Sequence, residues 1–173
     1  MEKKNEIIQK EVISILVKNE AGVLSRIAGL FSRRGYNIDA LSVCATEDER
    51  YSRMTVTVTE TLSAVNQIIA QLEKQEDVVK VMVLNEKKSL FRELLLLKLE
   101  AGPEIRSEIV DLCALFGAKA LDVFPESMVL ELTGSTQKID SFIDVVSKGY
   151  TILEIVRTGG AALERGSGIM AKD

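Results

Sequence analysis

Apolar and polar positions alternate with two different periods along this chain, and the switches between them mark the elements. Val12 to Val17 is β-branched and almost uncharged, which predicts a well-covered strand. From Gly22 to Arg34 the apolar positions Val23, Leu24, Ile27, Leu30 and Phe31 recur at helical spacing, with Ser25, Arg26, Ser32 and Arg33 on the outer face. Arg33 and Arg34 suit the negative end of that helix, and Gly35 supplies its left-handed stop. Strands are expected at 36–45, 51–58 and 78–84, with a helix over 62–74. Met54, Val56 and Val58 alternate with Thr55, Thr57 and Thr59, the period of a strand with two unlike faces. The order is βαββαβ, a ferredoxin-like unit.

The same order follows a polar linker at 85–89. Strands are expected at 93–100, 118–124, 127–133 and 150–156. One helix is expected to open near Pro103 and stop at Gly117, and another to run over 137–147. The chain is therefore read as α+β, two tandem ferredoxin-like βαββαβ domains at 11–85 and 86–158. Residues 1–10 are read as a frayed or helical lead-in and 159–173 as a mobile tail. In each unit both helices cover one sheet face. The other face must meet water, a second sheet or a partner, and the threonines of 55–59 make it a tolerable contact surface rather than a greasy one.

The composition narrows the chemistry. A hydrophobic fraction of 46% supports packed cores, and 5% aromatics with no Trp make those cores aliphatic. The net charge of −4 gives no electrostatic case for nucleic acid. No apolar run approaches membrane-spanning length, and 1–10 lack a signal-peptide core. The absence of His removes His-based triads and His metal ligation. Cys44 and Cys113 are isolated, which suits a reducing, cytoplasmic setting. No catalytic or metal-binding set is expected, and Glu47-Asp48-Glu49 reads as a solvated turn.

Candidate binding chemistry lies at the two ends of the first helix. No Ser, Thr or Asp stands at its start, so the N–H groups of Gly22, Val23 and Leu24 are open to a carboxylate, with Gly22 allowing close approach. The alternative is that Asn19 folds back to cap the helix and Gly22 serves only the turn. Asn37, Ile38 and Asp39 follow the other end. One chain cannot easily bring Asn19 and Asn37 to one ligand, but a two-fold dimer can.

Asn19-Glu20-Ala21-Gly22-Val23-Leu24-Ser25-Arg26, Gly29 through Ile38, Ser52-Arg53-Met54-Thr55 and Arg157-Thr158-Gly159 together resemble the small, regulatory subunit of acetolactate synthase (acetohydroxyacid synthase). The resemblance spans nearly the whole chain and implies that the first unit is an ACT domain. It implies a non-catalytic subunit that binds and activates a large catalytic subunit. It further implies feedback inhibition by a branched-chain amino acid, with valine favoured over leucine and isoleucine. Thiamine diphosphate, Mg and FAD would then sit on the catalytic partner, with no cofactor on this chain. The family pattern places the effector at an ACT homodimer interface, on Asn19, Gly22, Val23 and Leu24 of one chain and Asn37 and Ile38 of the other. Two other readings remain: an amino-acid-sensing ACT protein acting on another partner, and an acylphosphatase-like site on Arg26 and Asn37.

Overall fold

A computed structural model describes residues 7–85 and 87–170. The chain forms two units. One ends at Leu90 and takes in the segment from Ala162 onward; the other runs Phe91–Ala161.

The first unit contains β1 (Ile8–Lys18), α1 (Val23–Arg33), β2 (Ala40–Ala45), β3 (Tyr51–Thr61), α2 (Leu62–Leu72) and β4 (Val78–Val83). The sheet order is β2-β3-β1-β4, with every neighbouring pair antiparallel. This is the ferredoxin-like arrangement. β1 and β2 are parallel but not adjacent, because β3 lies between them. Ile13, Ile15 and Val17 of β1 and Met54, Val56 and Val58 of β3 point to one face. There they meet Val23, Ile27, Leu30 and Phe31 of α1 and Val65, Ile68 and Leu72 of α2. The two periods read from sequence converge on this core. Leu24, assigned to the same stripe, is instead 46% exposed.

The second unit repeats the plan with β5 (Ser89–Glu100), α3 (Arg106–Phe116), β6 (Lys119–Phe124), β7 (Ser127–Gly134), α4 (Thr136–Gly149) and β8 (Ile152–Arg157). Its order is β6-β7-β5-β8, with β9 (Ala161–Glu164) pairing β5. Leu95, Leu97 and Leu99 pack with Met128, Leu130 and Leu132, Ile109, Ile139, Phe142 and Val146. At the sheet edge Arg157 forks onto Glu93 at 2.6 and 2.9 Å and reaches Asp140 of α4 at 2.8 Å.

Several boundaries differ from the sequence reading. Ile8–Lys10 extend β1 rather than forming a helical lead-in, while residues 1–6 of that lead-in lie outside the described residues. Pro103 sits in a turn ahead of α3, which opens at Arg106. Gly117 does end α3 in the left-handed conformation, at φ 67°. Ser89, read as linker, begins β5. The expected tail is folded where it is described: β9 forms, and residues from Ala162 group with the first unit. Thr55 and Thr57 are buried rather than forming an exposed threonine face.

Candidate functional site

The first unit's binding element begins where β1 runs out. Lys18 donates its N–H to Asp77 O at 2.9 Å and Asn19 its own to Arg50 O at 2.8 Å, so the turn leaves the sheet from a fixed point. Gly22 then adopts φ 84°, a left-handed backbone that glycine enters without steric cost. It stands at the helix cap with no side-chain oxygen on the helix start. Val23 N–H reaches Glu20 O at 3.3 Å. Among the described residues the N–H groups of Gly22, Leu24 and Ser25 have no partner. The positive end of α1 thus keeps these N–H groups free of protein partners, although Val23 N–H is already engaged.

Asn19 does not cap the helix. Its Nδ2 donates to Glu49 O at 2.8 Å, and its Oδ1 accepts from Ser52 Oγ at 3.0 Å. The side chain therefore pins the turn to the start of β3. No local pattern around α1 announces the Arg26–Asp77 pair. Arg26 Nε meets Asp77 Oδ2 at 2.6 Å, and a Cβ at Gly22 would stand 3.0 Å from Arg26 Nη1. The guanidinium lies beside the glycine turn, with its charge balanced by Asp77. Of the predicted side chains, Leu24 projects outward, whereas Val23 is 3% exposed in the core and offers only its backbone.

Asn37, Ile38 and Asp39 lie in the loop ahead of β2 rather than at its first residues. Asn37 Nδ2 donates to Asp39 Oδ1 at 3.0 Å, and Asp39 Oδ2 accepts from Thr59 Oγ1 at 2.7 Å. Ile38 packs half-buried on the core, while Asn37 is exposed. The two groups are held by opposite ends of β3, Asn19 by Ser52 and Asp39 by Thr59. At roughly 3.3 Å per residue those ends are about 23 Å apart. A single chain keeps Asn19 and Asn37 apart.

The acidic turn 47–49 is solvated. Arg50 reaches both oxygens of Asp48, and its side-chain and backbone hydrogen bonds bring the carboxyl down to about 2. No group able to hold a metal occurs among the described residues, and no described helix is long and apolar enough to cross a membrane. Cys44 is exposed; burial raises the pKa of the Cys113 thiol, and both cysteines are free. Arg26 is paired with Asp77, far from Asn37, which gives the acylphosphatase-like arrangement no support.

Comparison with known proteins decides the family. A family model described as the AHAS small subunit-like ACT domain matches residues 13–80, and one described as the small subunit of acetolactate synthase matches 92–166. The chain is 44% identical to a probable acetolactate synthase small subunit of Archaeoglobus fulgidus, covering 91% of this chain and 98% of that protein. The chain belongs to the acetolactate synthase small-subunit family. It is also 41% identical to the acetolactate synthase small subunit of Haemophilus influenzae, over 91% and 96% of the two chains. The crystal structure of the small subunit from Thermotoga maritima superposes with a TM-score of 0.84 at 33% identity, covering 93% of this chain and all of that one. As an acetolactate synthase small subunit the chain is a non-catalytic regulatory subunit, and its partner is the enzyme's large catalytic subunit. The Gly22 turn and Asn37 both fall inside the matched ACT domain.

Proposed function

We propose that this small subunit activates its catalytic partner and makes it sensitive to a branched-chain amino acid, valine foremost, bound between the ACT domains of a homodimer. The observation that carries the reading is the left-handed Gly22 turn, with unpartnered N–H groups at the start of α1 and Arg26 beside it. The effector's carboxylate rests on that helix start, and exposed Leu24 lies against its side chain. Its ammonium meets Asn37, with Asp39 close by, on the other chain; Ile38 supports that loop from the core. Two-fold symmetry supplies what one chain keeps about 23 Å apart. Thiamine diphosphate, Mg and FAD belong to the catalytic partner, and the complex works in the reducing cytoplasm, which suits two free cysteines.

Valine inhibits by binding the free and complexed forms of the dimer unequally. Such couplings are typically about 1–3 kcal/mol and are reciprocal for binding. The test has two arms. The pure protein should show a higher melting temperature in valine, and adding it to the large subunit should raise acetolactate synthase activity and make it valine-sensitive. No thermal shift with valine, leucine or isoleucine sinks the effector site. No gain in activity sinks the activating role.

A further inference from the structure

The second face of the first sheet holds a chemistry that the helix-start site does not use. Register places Ser14 of β1 opposite Met82 of β4, and Arg53 of β3 opposite Leu16 of β1, so all four side chains point away from the α1–α2 core. The C-terminal segment crosses this face and is tied to it at two points. Arg53 Nη2 donates to Ala162 O at 3.0 Å, and Ser14 Oγ, which accepts from Arg53 Nε at 2.8 Å, donates to Met170 Sδ at 3.1 Å. This segment and the sheet face together line a cavity of about 290 Å³. Met82, Ile169 and Met170 give it apolar walls; Arg53, Glu47 and Glu164 give it charge.

We propose that this cavity is a second small-molecule site and that it takes a small apolar α-amino acid as its zwitterion. Arg53 is half-buried, burial pulls its pKa down, and Glu47 is the nearby charge that opposes this. Its Nη1 has no partner among the described residues, and Glu47 and Glu164 form no ion pair there. One guanidinium and two carboxylates make the wall net negative, so a bare carboxylate ligand is repelled. A bare amine leaves Arg53 Nη1 without an acceptor, which is costly for a partly buried charge. A zwitterion meets both, its carboxylate on Arg53 Nη1 and its ammonium toward Glu47 and Glu164. Met82, Ile169 and Met170 then cover an aliphatic or thioether side chain. The volume lies at the small end of ligand cavities, which sets the size class. Because the segment from Ala162 forms one wall, a bound ligand ties it to the sheet.

The test is calorimetry of the full-length protein carrying Gly22→Asp, which disables the helix-start site and leaves this face untouched. Leucine and methionine are the probes. Saturable binding is expected, weakened about tenfold or more by Arg53→Gln, which removes a charge-assisted contact, and by Met82→Trp, which fills the cavity without touching the charges. Isovalerate, which lacks the ammonium, should bind at least about tenfold more weakly. The proposal is overturned by no saturable binding in the Gly22→Asp protein, by affinity unchanged in both cavity variants, or by isovalerate binding as well as leucine. Valine falls in the same ligand class, so the helix-start site is read in an Arg53→Gln background, where loss of the valine response on adding Gly22→Asp reports on that site alone and the two sites fail separately.

Discussion

Gly22 is where a one-atom change reports on both the backbone and the ligand chemistry of this subunit. Its φ of 84° is left-handed, and an L-residue held there costs roughly 1–2 kcal/mol. A Cβ would also meet Arg26 Nη1 at 3.0 Å. That atom is the far end of a flexible side chain that is 50% exposed, so Arg26 can swing aside at the expense of a largely solvated pair worth about 0–1 kcal/mol. Gly22→Ala should therefore cost about 1–3 kcal/mol in the opening of the α1 start. Amide exchange over Val23–Arg33 should accelerate by roughly 5- to 150-fold wherever opening of this turn governs it. Gly22→Asn should cost well under half as much, since a short amide side chain tolerates the left-handed region. Unchanged protection in Gly22→Ala would refute a turn held left-handed. The same position separates sterics from charge. Gly22→Asn and Gly22→Asp have nearly the same shape, but only Asp places a negative charge where the proposed valine carboxylate rests. In an Arg53→Gln background the Asn variant should keep the valine thermal shift and the Asp variant lose it; equal loss in both would show that shape, not charge, governs the site.

In the second unit, Glu93 is 5% exposed and holds Arg157 in a fork, so Glu93→Ala leaves the partly buried Arg157 with only the exposed Asp140 as its partner. Breaking buried pairs costs about 3–5 kcal/mol; with Arg157 32% exposed, about 2–4 kcal/mol is expected in urea denaturation, with much of it recovered by Glu93→Leu/Arg157→Leu. A loss below about 0.5 kcal/mol would show the fork to be idle. The Arg157 pKa is raised, chiefly by its bond to Glu93, so its contribution is complete below its ordinary value and is lost only as pH rises through the raised one; Arg157 itself adds no slope near neutrality. Asp48 is the opposite case, because its pKa is lowered. The preference of the 46–51 turn for the folded state is complete above the ordinary carboxylate value and disappears as pH falls through about 2, a midpoint that carboxyl NMR should read and that Arg50→Ala should raise.

Much of the fold was legible because its elements bury one face at the period of their secondary structure. Ile13, Ile15, Met54, Val56, Ile27 and Phe31 announce the first core, and the Leu94–Leu97 run the second. What escaped was tertiary in origin. Residues 159–170 carry several glycines and little periodicity, and their strand and ties to Ser14 and Arg53 exist only because a sheet face is there to receive them. Pro103 suits a helical first turn, but α3 waits until Arg106. At the candidate site, the missing cap and the glycine at α1 were readable from residue type alone, and so was the separation of Asn19 from Asn37. The actual partners of Asn19, Glu49 and Ser52, come from the β2–β3 turn and β3, a long-range contact that local sequence does not encode. Asp77, which holds Arg26, is equally remote.

The central claim is an effector site completed across two copies of the chain, and mixed dimers test it most directly. Gly22→Asp spoils the helix start, and Asn37→His spoils the loop that meets it. With the Arg53 cavity disabled in both by Arg53→Gln, each variant alone should show no valine thermal shift. Unfolded together and refolded, they form heterodimers with one site doubly spoiled and one intact, so valine binding should return at one site per heterodimer. If the mixture stays as silent as its components while the heterodimer is present, the site is not shared between chains and the account is wrong.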